Sequence, residues 1–317
     1  MQALSMTCGI CGLPCKSFGR HRNGLRRFRC PSCKKTYTEP HSLTLGEMYA
    51  SKDKVVLALL LLLEGNSIRS TMRVMGLDQN TIMKALTLAG EKAERVMAER
   101  VRNVEVRDVE CDEVWSFIGK KQKRVRPEDD QNLGDCYAFV AIERHSKLVL
   151  NVAIGKRDQR TTDVFIEGVR HATAHTPFQI TTDGSVPYTS AITTTLHDKL
   201  TGYAKLIKVY RSSQEGEARY SPAEVQSVEV VPVFGQPDPE RICTSIIERS
   251  NLSLRMDIRR FTRLTNGFSK KWESHAAAIM LWYAYYNFCR LHKTLRVTPA
   301  MEAGITDHVW DLSELLA

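Results

Sequence analysis

At 317 residues, with 43% apolar side chains, the chain is long enough for two or three units with real hydrophobic cores, and disorder as the whole answer is excluded. The net charge of +9 is unevenly placed: residues 1–40 hold eight Lys or Arg against one acid and residues 249–296 ten against two, while residues 101–248 hold 19 against 22. Basic flanks around an acidic centre fit a polyanion held at its sides, although a merely solvated basic face gives the same count, and no stretch reaches the roughly 18–20 apolar residues of a membrane span.

The opening MQALSMTCG lacks the basic start and apolar core of a secretory signal, so a cytoplasmic protein is expected. Five of the nine cysteines fall within the first 33 residues. Cys8 with Cys11 and Cys30 with Cys33 form two C-x2-C knuckles, the spacing of a structural Zn2+ site, and Cys15 offers an alternative in which it replaces Cys8. A unit this small needs the metal for folding energy, which predicts a zinc ribbon over 1–42. Between the knuckles, Arg20, Arg22, Arg26 and Arg27 with Phe18 and Phe28 predict a basic hairpin suited to DNA contact or to protein docking.

Within a unit expected over 43–100, residues 52–97 read as helical: Lys52–Glu64, a break at Gly65-Asn66, Ser67–Met75, the turn GLDQ, then Asn80 to about Arg95. Two helices about a short Gly-containing turn match a helix-turn-helix, as does a plain bundle; in the former, Asn80, Thr81 and Lys84 open the recognition helix. The pattern then changes. Residues 104–119, 136–146 and 147–157 read as strands, 161–175 as a helix, 178–183 as a strand, 186–200 as a helix and 204–210 as a strand. This order predicts an α/β core with a mixed sheet over 101–295, in which the first and fourth strands can lie side by side, followed by a tail at 296–317. Residues 211–243 are polar and proline-bearing and read as an insertion, either a lid or DNA-contacting flap or a tolerated surface loop.

Three acids in this core sit in contexts suited to a shared metal. Asp112 lies within the strand CDEVWSF, Asp183 ends the strand FQITTD before Gly184, and Glu248 opens a helical stretch in which Ile247, Leu254, Ile258 and Phe261 form the apolar stripe and Glu248, Asn251 and Arg255 the polar one. Mg2+ prefers a few carboxylates plus phosphate oxygens, and two such ions can serve an in-line displacement at phosphorus. Arg255, two turns after Glu248, can hold a DNA phosphate. Among neighbouring acids, Glu113 should face away from Asp112 by strand alternation, whereas Asp108 and Glu110 share its face as supporting groups or alternative ligands. His275 and Glu273 suggest capping or packing, His292 a structural group or phosphate contact, and Trp115, Trp272 and Trp282 core positions.

The blocks CDEVWSF, TTDG, ERSNLSLRMDIRRFTRLTNGFSKKWESHAAA and YNFCRLHKTLRVTPAMEAG resemble those of DDE transposases of the insertion-sequence-one family, along essentially the whole chain. The resemblance implies a zinc ribbon, a helix-turn-helix and a ribonuclease-H-like catalytic core. It also implies binding to terminal inverted repeats, strand hydrolysis exposing a 3′-OH, and joining of that end to target DNA. Asp112, Asp183 and Glu248 would hold two Mg2+ ions, with Mn2+ able to substitute, in a nucleoid-associated homo-oligomer formed on DNA. The chain departs from short-spaced members in the spacing of 65 positions from Asp183 to Glu248, which bears most on the placement of Glu248. A DNA-binding regulator on an inactive core, or a nuclease or resolvase that cuts without joining, are the competing functions.

Overall fold

The computed structural model describes residues 6–21, 24–40, 48, 50–210, 225–262 and 265–317. The first described unit is a three-stranded antiparallel sheet, β1 (Lys16–Arg20), β2 (Arg26–Arg29) and β3 (Thr36–Thr38). Phe28 is buried with Cys8 and Cys30, while Phe18 stays exposed on the hairpin under the guanidinium groups of Arg27 and Arg29.

Three helices follow: α1 (Lys52–Leu63), α2 (Ile68–Met75) and α3 (Gln79–Arg100). Local chemistry sets their ends. Ser67 accepts from the Ser70 N–H to cap α2, Gly76 closes it in the left-handed region at φ +61°, and Asp78 accepts from the Asn80 N–H to start α3. The third helix runs to Arg100, beyond the expected end near Arg95, because its apolar stripe Ile82, Ala85, Leu86, Ala89, Ala93 and Met97 continues to find partners. Much of that stripe packs along α7 (Trp272–Phe288).

The remaining strands form one mixed sheet in the order β6-β5-β4-β7-β8-β9. Strands β4 (Asp108–Ile118), β5 (Gly134–Glu143) and β6 (Val149–Gly155) make an antiparallel meander, β7 (Phe178–Thr182) pairs parallel to β4, and β8 (Leu200–Tyr210) pairs parallel to β7. The expected adjacency of the first and fourth strands is therefore present. One face carries α4 (Gln159–Ala172) and α5 (Pro187–Thr195), joined to the sheet through Phe139, Phe165 and Tyr188; the other carries α6 (Ser245–Asp257) and α7. A single hydrophobic cluster extends from Val55 and Leu59 through the sheet to Leu316, so α1, α3 and the segment after 296 pack into the same core as the sheet. That final segment forms α8 (Pro299–Glu302) and α9 (Leu312–Leu315), and Trp310 stacks on Phe288.

Two expectations need correction. Residues 225–235 of the expected insertion are not a loop but the edge strand β9 (Val225–Gly235), antiparallel to β8. Its alternating valines supply the β propensity, and Pro232 is tolerated because an edge strand leaves one row of backbone groups unpaired. The stretch 211–224 lies outside the described residues. Trp115, expected in the core, is 39% exposed, because β4 runs four or more residues past its last pairing with β7 at Cys111–Thr182 and leaves its far half uncovered on that side. Trp282 is fully buried as expected, and His275 is buried between Ser116 and Ser269.

Gly90 marks the tightest approach of α3 to α7: a Cβ there would lie 2.3 Å from the Ala277 Cα and 2.7 Å from its carbonyl oxygen. Backbone atoms cannot swing aside, so Gly90→Ala should lose about 1–3 kcal/mol to overpacking, outweighing the ~1 kcal/mol gain in helix propensity. A thermal melt should show a lowered Tm; an unchanged or raised Tm would contradict this packing.

Candidate active site at the carboxyl edge of the sheet

In a sheet whose β4, β6, β7 and β8 all run the same way, one edge collects the carboxyl ends of four strands, the position at which α/β sheets place ligand-binding groups. Because β7 ends beside Cys111, Asp112 and Asp183 emerge level with each other. Both line a cavity of about 470 Å³ together with Gly184, Lys208, Thr244, Glu248, Asn251 and Arg255. The three acids picked from sequence therefore share one cavity, and Arg255 lies on the same wall as Glu248, as the two-turn spacing requires.

Helix α6 is held in place by Glu110. Its Oε2 accepts the Ile246 and Ile247 N–H groups at 3.0 and 2.9 Å, filling donors that a first helical turn leaves unpaired. Burial pushes the Glu110 carboxyl up to about 7 even against those two bonds. Glu110 is thus a positioning group for the Glu248 helix. Asp108, the other acid on that face, is engaged elsewhere by Arg241 and His145. On α6 itself, the buried Asn251 donates to Asp112 Oδ2 at 2.8 Å, while its Oδ1 is buried and has no hydrogen-bond partner among the described residues. Glu248 accepts from Thr244 at 2.7 Å and from Lys208.

Glu113 departs from expectation. Alternation directs it to the α5 side of β4, yet one carboxylate oxygen from each of Asp112, Glu113 and Asp183 lies within 4.8 Å of the others. The reason is the end of β7: with no strand beside residues 112 and 113 on that side, groups leaving opposite faces converge around the edge. Burial and then the Asp183 charge push Asp112 up to about 6 and Glu113 up to about 7. Arg157, two residues past β6, donates to Glu113 Oε2 at 3.3 Å and to Asp183 Oδ2 at 3.1 Å. Neither Arg157 nor Lys208 was among the sequence candidates; both belong to the carboxyl ends of parallel strands, the one signal that would have flagged them.

The four cysteines Cys8, Cys11, Cys30 and Cys33 place their Sγ atoms within 4.8 Å of one another, a thiolate set compatible with Zn2+, with Cys15 outside it. Among the basic residues expected to meet DNA, Arg26 is tied to Glu39 by its backbone N–H and its Nε, and Arg20 donates to the Gly24 carbonyl. Arg27 lies over Phe18, and Arg22 is outside the described residues. Asn80 and Lys84 are exposed at the start of α3 and Thr81 is half-buried.

Residues 132–223 match a family model described as a DDE domain, that of the IS240-type transposases. That stretch, under a third of the chain, is similar to the DDE domain of insertion-sequence transposases. Of the three acids, Asp183 falls inside the matched stretch, while Asp112 and Glu248 flank it. No curated protein matches the chain. Among solved structures it is similar to the piggyBac transposase synaptic complex with hairpin DNA, at 8% identity over 87% of this chain and 71% of that chain with a TM-score of 0.37. It is also similar to the Mos1 transposase paired-end complex with left transposon end, at 13% identity over 50% and 59% with a TM-score of 0.21. A third likeness is to the Argonaute of Aquifex aeolicus, at 10% identity over 67% and 33% with a TM-score of 0.25. Likenesses this loose leave the fold to be read from the strand order itself.

The raised carboxyls have a signed consequence. Asp112 and Glu113 hold protons in the folded chain at pH values where the unfolded chain has released them, so their stabilising contribution is present below about pH 4 and is lost as pH rises through about 6 and 7. In magnesium-free buffer the stability of the wild type should therefore fall across pH 4–7 relative to Asp112→Asn, and Mg2+ should restore it. A wild-type minus variant difference that is flat with pH would contradict the crowding of these carboxyls.

Proposed function

We propose that the protein is a transposase of the insertion-sequence-one kind that hydrolyses DNA at the ends of its element and joins the exposed 3′-OH to target DNA. The single observation supporting this most strongly is the gathering of Asp112, Asp183 and Glu248, from two strands and a helix, into one cavity at the carboxyl edge of the sheet. The donor set fits a hard divalent cation: it is all carboxylate oxygen, and the buried Asn251 Oδ1 stands on the same wall without a partner. Asp112, Asp183 and Glu248 would hold Mg2+ or Mn2+. Bound there, a pair of such ions supplies charge neutralisation at the attacking and leaving oxygens of an in-line displacement at phosphorus.

The chain's own groups provide orientation. Asn251 fixes one oxygen of Asp112, Glu110 anchors α6 and with it Glu248, and Arg255 lines the cavity where a scissile phosphate would lie. The core is read as ribonuclease-H-like, from an antiparallel meander followed by strands parallel to its first member. The four-thiolate unit is read as a zinc ribbon and α2–α3 as a helix-turn-helix. Arg20, Arg22, Arg26 and Arg27, with Asn80, Thr81 and Lys84, would contact the terminal inverted repeats. Joining two ends at one target calls for a homo-oligomer on DNA, acting at the nucleoid.

The test is Mg2+-dependent cleavage and strand transfer on a plasmid carrying the repeats that flank the coding sequence. Wild type should give nicks at the repeat ends and 3′-OH joining. Asp112→Asn, Asp183→Asn and Glu248→Gln should each lose about a thousandfold or more in rate, equivalent to ~4 kcal/mol, while still binding the repeats. Binding without cleavage by wild type would mean a regulator, and cleavage without joining a nuclease.

A further inference from the structure

The charge beside the end of β7 does not balance. Asp112, Glu113 and Asp183 bring three carboxylates within 4.8 Å, and the cation joining them is Arg157, which donates to Glu113 and Asp183 together. Lys208 is paired with Glu248 and so does not make up the difference. When all three are ionised, the carboxylates outnumber the guanidinium bonded to them, and a divalent ion would offset that excess. Glu113 is also a costly residue to bury for no purpose: its side chain is 3% exposed, and its Oε1 is buried with no hydrogen-bond partner among the described residues. The buried Tyr188 hydroxyl lies close enough to favour the charged form of Glu113. On the opposite wall the buried Asn251 Oδ1 is a second, independent unpartnered acceptor beside Asp112. Two unsatisfied acceptor oxygens around a cluster short of positive charge are what a cation would satisfy.

We propose that Glu113 is a fourth carboxylate of the divalent-metal centre and that Arg157 is the built-in cation that competes with the ion for it. This rests on reading Asp112 and Asp183 as metal ligands and adds to it a ligand from the opposite face of β4 and a guanidinium that the ion displaces. Arg157 is suited to that exchange because it is 43% exposed in its side chain and sits beyond the end of β6, against the Tyr137 ring, so it can swing outward. Released, it lies in the adjoining cleft that it lines with Asp183 and Gly184, where a DNA phosphate can take it bidentately. Occupation of the ion site and the gain of a phosphate contact are thereby coupled through one side chain.

The experiment is direct Mn2+ binding, followed by electron paramagnetic resonance, to the full zinc-loaded chain without DNA. Wild type is compared with Glu113→Gln, Arg157→Gln and Asp183→Asn, each checked by thermal melt. Glu113→Gln should bind at least about tenfold more weakly, and Arg157→Gln, freed of its competitor, severalfold more tightly. Tighter binding by Arg157→Gln cannot arise from misfolding, which keeps the proposal testable if Glu113→Gln is unstable. Unchanged affinity in Glu113→Gln, or unchanged or weaker affinity in Arg157→Gln, overturns the proposal while loss in Asp183→Asn preserves the centre itself. Undiminished binding by Asp183→Asn would overturn the centre and this inference with it.

Discussion

Like charges crowded at low dielectric repel strongly, and the folded chain nonetheless holds Asp112, Glu113 and Asp183 together at the end of β7 with one bridging guanidinium. Most of what is distinctive around the site answers that constraint. Burial and mutual repulsion raise two of the carboxyls, Asn251 orients one of them, and Lys208 pairs with Glu248 across the cavity. A structural ion pair would have come with equal numbers of each sign. A cluster of raised carboxyls left short of positive charge beside a cleft marks a candidate functional site.

The crowding itself comes from strand pairing. The parallel register of β4 on β7, Asp108 opposite Gln179 through Cys111 opposite Thr182, stops one residue short of both Asp112 and Asp183. A strand longer by two residues would have covered the edge and kept Glu113 on its own face. Glu110 extends the same design to the helix: by binding the first-turn N–H groups of α6, it fixes the angle from which Glu248 and Arg255 enter the cavity. The long contact of α3 with α7 joins the helical segment to this framework.

Much of this was legible in the residues. A short apolar strand ended at Asp183, the turn residue Gly184 followed, and the helical stripe of Ile247, Leu254 and Ile258 put Glu248 and Arg255 on the opposite side; the break at Gly65-Asn66 and the turn GLDQ marked the helix ends. What was not legible depends on where a neighbouring element stops. Alternation places Glu113 and Trp115 correctly on one face of β4, but the exposure of one and the convergence of the other follow from the early end of β7, a long-range fact. Strand β9 was hidden because its proline and polar neighbours resemble a loop until β8 is there to pair with it. Arg157 follows an unremarkable Gly-Lys and owes its place wholly to β6 running parallel to β4.

The central claim is that carboxylates from separate elements form one divalent-cation centre, and locating the ion tests it without reference to catalysis. In crystals of the protein soaked in Mn2+, anomalous scattering should show a peak between the carboxylates of Asp112 and Asp183 that is absent from Asp112→Asn crystals treated alike. Saturating Mn2+ with no peak in that cavity, or a peak that persists in the variant, would contradict the account.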